Sequence, residues 1–106
     1  MNKYTELSDL EINKRVFVAA KIEHEDTDLH SNKVFYGDGA NWIEFNPCNN
    51  PADAMPIIIE NEISMIKSSG GWMCCHGSVG QVERESLYRG AMEVFLMIKD
   101  AENEKV

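Results

Sequence analysis

The sequence predicts an α+β fold: an antiparallel sheet of about four strands, drawn as two hairpins, with helices packed mainly on one face. Three observations carry that expectation. A capping box opens a helix near the N-terminus, two pairs of β-branched or aromatic runs each flank a glycine-bearing turn, and an apolar stripe at helical spacing runs from Leu87 to Ile98. The expected element order is α-β-β-α-β-β-α.

Ser8-Asp9-Leu10-Glu11 has the S-x-x-E pattern, in which hydroxyl and carboxylate each satisfy an amide of the helix start, and Leu7 with Ile12 has the spacing of a hydrophobic staple. Ile12, Val16, Ala19 and Ala20 then follow i, i+4, i+7 and i+8, which predicts a helix over 9–22. The acidic, aperiodic stretch 23–30 reads as a solvated loop. Lys33 to Tyr36 and Trp42 to Phe45 flank Gly37-Asp38-Gly39-Ala40-Asn41 and predict the first hairpin.

Asn46-Pro47-Cys48-Asn49-Asn50-Pro51 breaks the chain. Asn50 can cap, Pro51 suits a first helical position, and Asp53 complements the amide ends of a first turn. Pro56 then suggests a second start, so a short helical turn and a separate helix to about Asn61 are expected. Ile63 to Lys67 and Trp72 to His76 flank Ser68-Ser69-Gly70-Gly71 and predict the second hairpin, followed by a loop over 77–85. Ser86 can cap the last helix, whose Leu87, Ala91, Val94, Phe95 and Ile98 match the template throughout, and whose end is expected to fray from Asp100.

At 106 residues the chain fits one domain over 1–106, with loose ends expected at 1–5 and 101–106. The apolar fraction of 43% and charged fraction of 26% are those of a globular protein. No apolar run nears the roughly 18 residues of a membrane span, and Met1 to Glu6 lacks the apolar core of a signal peptide, so a cytoplasmic protein is expected. Three cysteines, with Cys74 and Cys75 adjacent, make a poor disulfide framework and read as reduced thiols. Ten basic against 18 acidic residues give a net charge of −8, a field that repels a phosphate backbone and disfavours direct nucleic-acid binding. The same charge suits a basic partner or simple solubility.

Cys74-Cys75-His76 invites a metal or nucleophile reading, with Cys48 as a further ligand. Consecutive strand residues point to opposite faces, so Cys74 and His76 share a face that Cys75 does not, and buried structural thiols are the plainer reading. A Cys–His catalytic pair has no spacing that selects a base among His24, His30 and His76. His24 and His30 with Glu25, Asp26 and Asp28 lack the glycine and terminal glutamate of a carboxylate cation loop. No catalytic residue, metal or cofactor is therefore expected. Trp42, Trp72 and Tyr36 are the candidate binding residues, with filling of the space between sheet and helix as the competing role for the tryptophans.

Three segments together resemble a known phage family: Glu6-Leu7-Ser8-Asp9-Leu10, the block from Phe45 through Asn46-Pro47-Cys48-Asn49-Asn50-Pro51 to Pro56-Ile57-Ile58, and Arg89-Gly90-Ala91-Met92-Glu93-Val94-Phe95. They resemble the NinX family of lambdoid phages and related enterobacterial prophages. The central proline and isoleucine block is the most specific part. That family has no assigned activity, so the resemblance implies an accessory product made in a bacterial cytoplasm and carries over no catalytic residue. A protein partner, such as a host factor or defence component, is the expected target; a small Cys/His-dependent enzyme or metal-binding protein is the alternative. Runs such as Val34-Phe35-Tyr36 and Trp72 to Cys75 put apolar groups on both faces of a sheet, so a homodimer is also expected.

Overall fold

A computed structural model describes residues 2–22, 24, 26–29, 32–37 and 40–104. The elements run α1 (Asp9–Ala19), β1 (Asp26–Asp28), β2 (Val34–Gly37), β3 (Trp42–Phe45), α2 (Pro51–Glu60), β4 (Ser64–Ser68), β5 (Gly71–His76), β6 (Gly80–Arg84) and α3 (Leu87–Glu104). The fold is α+β, and its strands form two three-stranded antiparallel sheets, β1-β2-β3 and β4-β5-β6. The four expected strands are β2, β3, β4 and β5. The single four-stranded sheet is corrected to six strands in two sheets among the described residues.

The two added strands lie where loops were expected, and both are weakly patterned. β1 is Asp-Thr-Asp, held at an edge because Thr27 pairs with Tyr36 and its Oγ1 donates to the Phe35 carbonyl at 3.1 Å. β6 carries a single buried residue, Val82, opposite Cys74. An edge strand with so little to bury shows no period in its own sequence.

Ser8 caps α1 as expected, its Oγ accepting from the Glu11 amide at 3.1 Å, while the Glu11 carboxylate lies 3.9 Å from Lys14 Nζ. The helix stops at Ala19, short of Ile22, because Lys21 turns left-handed with φ 53°. Asn50 caps α2 through the Ala52 amide at 3.0 Å, and the helix runs unbroken through Pro56. The expected break at Pro56 does not occur. Proline there removes one bond to the Ala52 carbonyl, but both residues are exposed, so water can satisfy that oxygen. Glu62, at φ 55°, closes the helix with the Ile63 amide donating to the Ile58 carbonyl at 3.1 Å, a Schellman-type end built without glycine.

α3 crosses β5 and β6 and also contacts α1 and α2. A Cβ at Gly90 would lie 3.0 Å from Cys74 Sγ, so the missing side chain sets how closely helix and sheet meet. Ala91, Met92, Val94, Phe95, Leu96 and Ile98 are buried there with Ile12 and Val16 of α1 and Ile57 and Ile58 of α2. The helix continues to Glu104. At the N-terminal end Tyr4 is buried and its hydroxyl donates to Asp100. The first sheet meets α1 through Phe17, whose ring lies 5.6 Å from Phe45 and 5.7 Å from Tyr36.

Candidate functional site

The largest polar constellation is a clasp that no single element suggests. Glu93, completely buried on α3, accepts from Arg84 Nε at 2.9 Å and Arg84 Nη2 at 2.8 Å, from Arg89 Nε at 2.8 Å and from Asn2 Nδ2 at 3.2 Å. Arg89 reaches on to Asp9 at 2.8 Å and to the carbonyls of Tyr4 and Leu7 at 2.9 and 2.7 Å. Asp9 in turn meets Asn49 at 3.3 Å, and the buried Asn13 binds Asn46 at 2.8 Å and accepts from the Cys48 amide at 3.1 Å. Asp9, the Asn46–Asn50 turn and Arg89–Glu93, one from each segment that resembles the NinX family, are thus tied into one network.

Burial alone would push the Glu93 carboxyl up, but its bonds from Arg84, Arg89 and Asn2 outweigh that and hold it below the usual carboxylate range. Arg89 is pulled down by burial and raised further by Asp9 and Glu93, so its charge is fixed. No buried polar side-chain atom among the described residues lacks a partner. A carboxylate with every lone pair engaged and no exposed surface positions the chain and offers nothing to a ligand. In sequence the clue was a charge at Glu93 inside the apolar run Ala91 to Leu96, four residues after Arg89.

The cysteine and histidine candidates do not assemble. Cys48 is buried with Sγ 3.9 Å from the Asp9 carbonyl, and its thiol is pushed up to about 12 by burial and then by the charge of Asp9. Cys74 is buried on β5 with Sγ 3.5 Å from the Leu87 carbonyl, and burial followed by its neighbour Cys75 pushes it up to about 11. Such thiols stay protonated at neutral pH, which makes them poor nucleophiles and ligands. His76 Nδ1 accepts from the Ser78 amide at 3.1 Å. Among the described residues no three His, Cys, Asp or Glu side chains gather to hold a metal ion, so Cys48, Cys74 and His76 form no ligand set. His24 packs on Phe17 at 5.0 Å between ring centroids, while Glu25 and His30 of the acidic stretch lie outside the described residues.

The aromatic candidates are also dispersed. Tyr36 belongs to the cluster with Phe17 and Phe45. Trp72 shares the α3 side of the second sheet with Lys67, Cys74 and Arg84, and the Lys67 ammonium lies 5.5 Å from its ring centroid. Trp42 pairs with Gly37 and therefore points to the other face from Tyr36, where it remains 51% exposed.

That face of the first sheet has a definite chemical layout. The pairing sets Asp28, Phe35 and Glu44 in one row across the strands and Asp26, Gly37 and Trp42 in the next. The indole is half exposed, Asp28 and Glu44 flank Phe35 across the strands, and Glu44 follows Trp42 along the same face of β3. Lys33 Nζ lies 4.0 Å from Glu44. The layout suits a cation laid over the indole with carboxylates as acceptors, a recognition mode that favours arginine.

No helix among the described residues is long and apolar enough to cross a membrane. No curated protein and no solved structure matches the chain. Residues 3–99 match the family described as Bacteriophage P22, NinX. With nearly its whole length matched, the chain belongs to the phage NinX family.

Proposed function

We propose that the chain is a phage accessory factor that acts in the bacterial cytoplasm by binding a host protein, such as a defence component, through the Phe35 and Trp42 face of the first sheet. The observation that carries this reading is the half-exposed Trp42 set among Asp26, Asp28 and Glu44. Exposed tryptophan is among the residue types that most often dominate a protein interface, and Trp42 stands at the open corner of this face, first in the edge strand β3. The net charge of −8 selects a basic partner surface and speeds its approach. A Cys/His enzyme has less support, because Cys48 and Cys74 are buried with raised thiols.

The test is recovery of a partner on tagged chain from infected cells, with Trp42→Ala and Glu44→Gln compared against the parent at two salt concentrations. The reading expects one basic protein, held less tightly at high salt and weakened on the order of tenfold or more by Trp42→Ala. A partner retained equally by both variants would place the contact on another face.

A further inference from the structure

The second sheet ends on one side in β4, Ser64-Met65-Ile66-Lys67-Ser68, whose strand neighbour among the described residues is β5 alone. Open strand edges invite pairing, and proteins blunt them with proline, a bulge, a very short strand or an outward lysine. β4 has none of the first three: its register with β5 runs without interruption from Ser64 opposite Cys75 to Ser68 opposite Gly71. The lysine is present but turned away. Lys67 Nζ donates to the Gly71 carbonyl at 3.2 Å and lies 5.5 Å from the Trp72 ring centroid, over its own sheet.

We infer that β4 pairs with β4 of a second copy of this chain, antiparallel about a two-fold axis through Ile66, to make a continuous six-stranded sheet. This pairing is independent of the partner face on the first sheet. The strand is self-complementary about its centre. In that register Ser64 meets Ser68 of the second copy, Met65 meets Lys67, and Ile66 meets itself. Small hydroxyl residues face each other at both ends, and on the α3 side the thioether of Met65 lies along the lysine stem.

The side chains on the sheet face away from α3 supply the apolar contact. Ile66 is 50% exposed and directly opposite Met73, which is opposite Glu83. Across the axis these become one row, Glu83, Met73, Ile66 and then their counterparts in reverse. The exposed isoleucine is covered by its own copy and its methionine neighbours. The two Glu83 positions end about 24 Å apart, five strand spacings, which is roughly three Debye lengths at physiological salt. Their repulsion is therefore screened, and no other acidic side chain lies on β4 or β5.

Sedimentation of the full chain over a concentration range of about 5 to 500 micromolar tests the dimer. The expected mass rises from 12.0 kDa toward twice that value, and Ile66→Lys, which sets two ammonium groups against each other on the axis, weakens association about tenfold or more. Ile66→Thr keeps the strand and should weaken it less, which serves if the lysine variant unfolds. In a Cys75→Ser background, Ile66→Cys should cross-link to a covalent dimer under mild oxidation while Ser64→Cys alone should not, because only residue 66 faces itself. A chain that stays monomeric throughout, a dimer indifferent to both Ile66 variants, or cross-linking of Ser64→Cys as fast as Ile66→Cys would each overturn the inference.

Discussion

The two sheets have the same strand count and the same antiparallel order, yet they are supported differently. α3 packs across β5 and β6 along a continuous apolar stripe, with Gly90 seated on Cys74. The first sheet rests on α1 mainly through three rings, Phe17, Tyr36 and Phe45. Its other face carries Trp42 and carboxylates rather than core residues. Each sheet uses one face for attachment and leaves the other uncovered by helix, but the second is held by a long apolar helix and the first by a cluster of three rings.

The largest expected effect breaks the supported side. Phe95→Ala should lose about 3 to 5 kcal/mol in urea unfolding, since the ring is 1% exposed where all three helices meet and its removal leaves a void. A loss below about 1 kcal/mol would mean that Phe95 is not packed where the three helices meet.

Glu93→Gln should come next, at about 3 kcal/mol near neutral pH, because Arg84 and Arg89 would face a neutral amide. Its pH dependence follows from the lowered carboxyl. On acidification the unfolded chain takes up the proton first, so the stabilisation is complete above the ordinary carboxylate value of 4.5 and is lost as pH falls toward the lower folded value. Parent stability should therefore fall more steeply than that of Glu93→Gln as pH drops from about 5 to about 3. Parallel curves would show that the clasp does not set the acid limit.

Smaller changes probe the helix ends. Ser8→Ala should cost about 1 kcal/mol through loss of the bond to the Glu11 amide. Glu62→Gly should raise stability by about 0.5 to 1 kcal/mol, since glycine holds the left-handed conformation before β4 without a Cβ penalty. The smallest effect should be Trp42→Ala, within about 0.5 kcal/mol of the parent by thermal unfolding. A large loss there would return Trp42 to the core and remove the contrast between the sheets.

Helices and their caps were legible because their signals are local. Ser8, Asn50 and the Leu87 to Ile98 stripe each declare themselves within a few residues. β1 and β6 were not legible, since Asp-Thr-Asp and a strand with one buried valine become strands only by pairing with a better-patterned neighbour. The same limit hid the surface. Whether Trp42 shares a face with Tyr36 depends on Tyr36 pairing with Ile43, and a one-residue slip would reverse the answer. Glu93 was obscured for a different reason: a glutamate on a helix usually reads as solvated, and its partners Asn2 and Arg84 lie on other segments.

The clasp also constrains the order of folding. Asn2 and Glu93 are 91 positions apart, and Thr5 and Arg84 are 79 apart. A ribosome making this chain releases residues 2–9 long before their ionic partners exist, so the opening segment must wait unanchored until the start of α3 has been synthesised. Closing so long a loop brings an entropic cost that local helix formation does not, which makes the docking of the opening segment onto α3 a late step.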